Sequence, residues 1–146
     1  MKQLTILILS LLLFSGLLFS GCEDKHCSCC SSYDAVELML NDTVQLKYNE
    51  LYCNPEYELQ LSFDSLSDSR CPIGAYCIWE GTASVKLHVQ NSDGKATSFW
   101  LNTHNSFLTD TIVNGIRYEF IDLFPYPKVD MDYSLDDYIL QMIISD

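Results

Sequence analysis

Positive charge is what this chain of 146 residues has least of: 8 Lys and Arg stand against 20 Asp and Glu, a formal net charge of −12. Beyond Lys2 the basic residues are Lys25, Lys47, Arg70, Lys86, Lys95, Arg117 and Lys128, scattered along the chain. No basic stripe exists to follow a phosphate backbone, so nucleic-acid binding is excluded. The acidity itself supplies solubility and mutual repulsion at a crowded surface. Histidine is also scarce. His26, His88 and His104 are far apart, and no nucleophile with a base, carboxylate pair or catalytic-metal ligand set is marked near any of them. The expectation is a protein that is not an enzyme and carries no cofactor. Helical stripes, apolar at i, i+3 and i+4, are rare as well, and there is only one long apolar run.

That run covers residues 4–19 behind Lys2 and is interrupted only by Thr5, Ser10, Ser15 and Gly16. A charged start, an apolar centre and small residues at the end are the parts of an export signal. A membrane-spanning helix of this length would reach across a bilayer, but acidic Glu23 and Asp24 follow where a stop-transfer segment carries Lys or Arg. The end of the run, Leu18-Phe19-Ser20-Gly21-Cys22, resembles the bacterial lipobox, with Phe19 in place of the usual Leu. The resemblance implies a signal peptide over residues 1–21 and a lipid on Cys22. The Glu23-Asp24 pair is similar to the acidic tract that sends some Bacteroidetes lipoproteins to the outer face of the outer membrane. Loss of Lys2 with the signal takes the charge from −12 to −13. The expected location is the cell envelope at the outer membrane, periplasmic or surface-facing. There the protein is held by acyl chains whose buried methylenes contribute about 0.8 kcal/mol each.

Residues 22–32 read as a Cys-rich tether and residues 33–146 as one domain, since the length suits a single core. Within the domain the apolar pattern has period two, which places alternate side chains on opposite faces of a strand. Val36, Leu38 and Leu40, then Val44, Leu46 and Tyr48 across Asn41-Asp42, suggest a hairpin. Tyr57, Leu59, Leu61 and Phe63 alternate with Glu58, Gln60, Ser62 and Asp64; Ala83, Val85, Leu87 and Val89 do the same before a turn at Asn91-Ser92-Asp93-Gly94 into residues 95–101. A further hairpin runs from Ser106-Phe107-Leu108 through Ile112-Val113, turns at Asn114-Gly115 and returns over residues 116–120. Pro125 and Pro127 bar regular pairing. Residues 138–144 read as a strand buried on both faces, or as a short helix beginning at Ser134. The fold class is all-β: one β-sandwich or squat antiparallel barrel of about seven to eight strands.

Six cysteines remain beyond Cys22: Cys27, Cys29, Cys30, Cys53, Cys71 and Cys77. In an oxidising envelope, disulfides are the default. Cys71 and Cys77 enclose Pro72-Ile73-Gly74-Ala75-Tyr76, which permits tight reversal, and a bridge there shapes a loop rather than holding the domain together. Neither Cys-x-x-Cys spacing nor a βαβ pattern surrounds this pair, so a redox role is disfavoured. His26, Cys27, Cys29 and Cys30 crowd three thiols and an imidazole together, a soft-metal set in composition but not in zinc-knuckle spacing. These thiols also have one another or Cys53 to pair with.

Asp68-Ser69-Arg70-Cys71-Pro72-Ile73-Gly74-Ala75-Tyr76-Cys77-Ile78-Trp79-Glu80-Gly81 resembles a family of small exported bacterial proteins. Its members carry Asp/Glu-Ser-Arg-Cys-Pro, a short gap, Cys-x-Trp and Gly. Leu123-Phe124-Pro125-Tyr126-Pro127 and the strand at Tyr138 are similar to its closing segment, and the likeness runs from about Val44 to Ile144. Glu80 departs from the Ala of that pattern, and the tether with Cys53 is additional. The resemblance implies a β-fold with a Cys71–Cys77 bridge and no established activity. Physically the motif is a stiffened loop, with Trp79 as an apolar plug and Arg70 able to pair with Asp68 or Glu80. It serves as an internal brace or, through Arg70, Tyr76, Trp79 and Glu80, as a binding loop. The acidic groups Asp64, Asp68, Asp130, Asp132, Asp136 and Asp137 could hold calcium but lack the EF-hand order, and solvated loops are the simpler reading.

The function expected is therefore a lipid-anchored, non-catalytic envelope module with a structural or binding role. Its partner would be an envelope protein, a glycan or a small ligand. The alternative is a metal-handling or thiol-redox lipoprotein using the Cys/His tether.

Overall fold

Strict apolar alternation becomes strand wherever one face can be buried. The computed structural model, which describes residues 35–146, contains β1 (Val36–Glu37), β2 (Asp42–Lys47), β3 (Leu51–Asn54), β4 (Leu59–Asp68), β5 (Ala83–Asn91), β6 (Ala96–Asn102), β7 (Asp110–Val113), β8 (Ile116–Phe124) and β9 (Ile139–Ser145). They form a five-stranded sheet in the order β1-β3-β4-β5-β6 and a four-stranded sheet in the order β2-β9-β8-β7. The two sheets pack face to face without closing, so the fold is a β-sandwich and not the barrel that alternation alone allows.

The core lies between them. Leu59, Leu61 and Phe63 of β4 and Ala83, Val85, Leu87 and Val89 of β5 meet Tyr118, Phe120 and Leu123 of β8 and Leu140, Met142 and Ile144 of β9. Each fully buried side chain of Leu or Phe size contributes about 1.5–3 kcal/mol relative to exposure. Tyr118 packs its ring on Phe99 with centroids 5.2 Å apart. Its hydroxyl finds no partner among the described residues, and burial pushes that phenol above its ordinary pKa.

Several expectations change in detail. The hairpin at Asn41-Asp42 does not form: β1 pairs parallel with β3, whereas β2 pairs with β9 from Asp42↔Ile144 to Lys47↔Ile139. Asn41, at φ 64, carries the chain from one sheet to the other, and the longer ladder with β9 satisfies more backbone than a two-residue β1 could. The unforeseen strand is β3, whose Tyr52, Cys53 and Asn54 are all buried and so show no alternation. Tyr57 lies in a turn before β4, with Glu58 at φ 48, and Phe107 and Leu108 are exposed ahead of β7. β9 buries alternate residues, so only one of its faces enters the core. The helical reading survives as a 3-10 turn at Leu135–Asp137 ahead of it.

Candidate functional site

β4 and β5 leave their sheet side by side at Asp68↔Ala83, and the loop between them, residues 69–82, is as long as the other connection at that end, residues 125–138. Its stem prolongs the ladder: Ser69 N–H donates to Thr82 O (2.9 Å) and Cys71 N–H to Glu80 O (2.8 Å). Gly81 permits this closeness. It stands at φ +74, and a Cβ there would lie 1.9 Å from Ser69 O, so no larger residue fits. Above the stem, Cys71 and Cys77 are disulfide-bonded with Cα atoms 5.9 Å apart.

Arg70 holds the loop from beneath. Its Nε and Nη2 donate to the two oxygens of Asp68 (2.9 and 2.6 Å), Nη1 donates to Leu123 O (2.8 Å) and Nη2 also to Pro125 O (3.0 Å). The guanidinium lies 4.6 Å from the Tyr126 ring centroid, and Asp122 approaches Nη1 at 3.6 Å. Both Arg70 and Asp68 side chains are 5% exposed. A buried ion pair is tolerated where its lone pairs and protons are satisfied, as they are here by two carbonyls, a carboxylate and a ring. The loop is fastened a second time by Ile73 N–H to Pro127 O (2.9 Å) and Val129 N–H to Ile73 O (3.1 Å). One Arg thus ties β4, the end of β8 and the segment after it to the base of a single loop.

Beside the brace is a cleft of about 300 Å³ lined by Arg70, Glu80, Gly81, Thr103, His104, Ile121, Asp122 and Tyr126. His104 Nε2 meets Glu80 Oε1 at 3.0 Å across it. Thr103 Oγ1 accepts from Ala83 N–H at 2.9 Å and lies 3.1 Å from Thr82 Oγ1. The Arg70 donors are taken up by Asp68, Leu123 and Pro125, which leaves the His104–Glu80 pair as the polar feature facing the cleft.

The binding-loop residues therefore separate into two roles. Arg70 is buried and structural, pairing with Asp68 and not with Glu80; Glu80 turns outward to His104. Tyr76 is fully exposed, and Trp79, at 62% exposure, is not the expected plug. The Arg70 guanidinium, and not the indole, packs on the Tyr126 ring at the base of the loop. Ile73, Ile78, Val129 and Met131 are exposed at the same end. Sequence reasoning passed over Thr103, His104, Asp122 and Tyr126 as site residues. Only Tyr126 carried a signal, through the Leu123-Phe124-Pro125-Tyr126-Pro127 motif.

The acidic groups also divide. Asp68 is buried with Arg70 and is no solvated loop residue. Asp64 accepts from Ser62 Oγ. Asp137 accepts from Ser134 N–H and Oγ, both at 2.8 Å, which holds its carboxyl below the ordinary range. Among the described residues no three His, Cys, Asp or Glu side chains gather as a metal-ligand set. Cys22, His26, Cys27, Cys29 and Cys30 lie outside the described residues. Cys53 is buried and disulfide-bonded. No helix among the described residues is long and apolar enough to cross a membrane. No protein-family description, characterised protein or solved structure matches this chain.

Proposed function

We propose that this protein is a non-catalytic binding module of the cell envelope, held at the outer membrane by a lipid on Cys22, with the Cys71–Cys77 loop as its contact surface. One observation carries the reading. Tyr76 and Ile78 stand fully in solvent, at 107% and 106% exposure, on a loop that a disulfide, a buried Arg and two backbone bonds hold still. Apolar side chains presented on a pre-ordered loop bind with little further loss of conformational freedom, which is how rigid scaffolds turn loops into recognition surfaces.

The test has two arms. Mass spectrometry of protein from its native envelope, with free thiols alkylated before digestion and metal content recorded, is expected to find acylated Cys22 and bridged Cys71–Cys77. Reduced, metal-loaded Cys27, Cys29 and Cys30 would assign metal handling in place of the binding role. A photo-crosslinking residue at Tyr76 is expected to trap a discrete adduct in cells, while the same residue at Asp93, on the opposite end, gives none. Equal labelling from both positions sinks the loop as the contact surface.

A further inference from the structure

Away from this end, the outer face of the five-stranded sheet departs from the rest of the molecule in composition. The β4–β5 and β5–β6 registers stack its outward residues in four rows: Gln60, Gln90 and Ala96; Ser62, His88 and Ser98; Ser65, Lys86 and Trp100; Ser67, Ser84 and Asn102. Their strand neighbours Leu61, Phe63, Val85, Leu87, Val89 and Leu101 are buried in the core, which fixes these residues outward. In a chain with 20 acidic residues, these rows across β4, β5 and β6 contain no carboxylate; Glu37 of β1 continues the Gln60 row through Cys53 of β3 at the far edge of the sheet. Asp64 stands alone in the bulge between Phe63 and Ser65, accepting from Ser62 Oγ.

In their place are hydroxyls, amides, an imidazole and an indole. Some are already aligned across strands: Ser84 Oγ donates to Asn102 Oδ1 at 2.5 Å, and His88 Nδ1 lies 3.0 Å from Ser98 Oγ. The side chains of Lys86 and Gln90 make no hydrogen bond among the described residues and are open to a ligand. Trp100 is 44% exposed beside Lys86, forgoing burial that a side chain of its size would normally obtain in a core.

We propose that this face is a platform for a neutral glycan, with Trp100 stacking on the apolar C–H face of a sugar ring and the surrounding hydroxyl, amide and imidazole groups meeting its hydroxyls. Charge decides the ligand class. A polyanion would find Lys86 as the single fixed cation in these rows, and a cationic partner would find better anchors on the acid-rich remainder of the surface. A polyhydroxylated ligand needs paired donors and acceptors without net charge, and Ser, Gln, Asn and His supply both from one side chain. A strand-backed face keeps them in fixed positions, and an indole supplies apolar area at small entropic cost. The proposal does not depend on the disulfide loop.

Affinity electrophoresis of the mature lipoprotein in detergent tests it, in gels containing xylan, mannan, β-glucan or starch, with polygalacturonate as the polyanion control. Saturable retardation by at least one neutral polymer is expected, about tenfold weaker in Trp100→Ala with an unchanged melting temperature, and retained in Lys86→Gln. In a Trp79→Phe background Trp100 is the only indole, and its emission should shift on titration with the same polymer. Retardation by none of the neutral polymers, equal retardation of Trp100→Ala, or retardation by polygalacturonate alone overturns the proposal. A Tyr76→Ala variant should bind the polymer normally, which separates this face from the loop.

Discussion

At one end of the sandwich the chain reverses through short turns made from their own residues. Asn114 and Gly115 stand at φ 54 and 84 between β7 and β8, and Gly94 N–H returns to Asn91 O at 3.0 Å between β5 and β6. At the other end, residues 69–82 are held by groups from other parts of the fold: Arg70 reaches carbonyls 53 and 55 residues away in sequence. A locally specified turn brings adjacent strands together. A loop specified from a distance can hold exposed aromatic and aliphatic side chains still, because its rigidity does not come from burying them. The difference is between ends that close the fold and ends that can present something from it.

Breaking the braced end should cost most through Arg70. Arg70→Ala leaves Asp68 buried and unpaired and removes donors from Leu123 O and Pro125 O, so chemical denaturation should show a loss of about 3–5 kcal/mol. Arg70→Lys cannot reproduce the fork and should recover only part of it. Gly81→Ala comes next. Its methyl group would meet Ser69 O at a positive φ, and a loss of about 3 kcal/mol is expected, with the 69–82 stem losing amide-exchange protection first. Replacing Cys71 and Cys77 together by Ser opens a loop of sequence separation 6, and unfolding should become easier by about 2 kcal/mol. If that pair proves neutral while Arg70→Ala does not, the brace alone sets the loop.

The locally specified end should yield less. Gly115→Ala places a Cβ at φ +84 with open space around it, so only backbone strain opposes it, and about 1 kcal/mol should be lost in a thermal melt. The smallest effect concerns acid. Asp137 at the braced end is held low by Ser134, and Asp146 at the other end is held low by Tyr57 and Asn41. A depressed folded-state pKa contributes stability that is complete above the ordinary carboxylate pKa of about 4 and is lost as pH falls through the folded value. Asp137→Asn and Asp146→Asn should each flatten the acid limb of a stability–pH profile slightly and leave neutral pH nearly unchanged. Tyr57, whose hydroxyl donates to Asp146 and is thereby pushed up to about 12, should titrate later than an ordinary tyrosine in an ultraviolet pH scan.

Much of the fold was legible because burial on one face writes itself as alternation. The core faces of β4 at Leu59, Leu61 and Phe63 and of β5 at Ala83, Val85, Leu87 and Val89 stand as their spacing implies. The Asn-Gly and Asn-Ser-Asp-Gly turns were legible for the same local reason. β3 was not, because Tyr52, Cys53 and Asn54 are buried on both sides, and Asn54 is satisfied by giving its amide to Leu38 O and accepting from Tyr57 N–H. Strand partners were not legible either. Asn41-Asp42 carries turn chemistry, yet β1 and β2 joined different sheets, since pairing depends on which ladder satisfies more backbone and not on the link.

The same division holds at the candidate surfaces. The sequence by itself determined the all-β class, the Cys71–Cys77 bridge and the acidity, since these rest on period, short separation and composition. Only the tertiary structure decided that Arg70 lies inside and Trp79 outside, that Glu80 meets His104, and that twelve dispersed outward positions form rows around Trp100. The physical reason is distance along the chain. A guanidinium takes whichever carbonyls the folded backbone brings within reach, and a face exists only once separate strands lie in register.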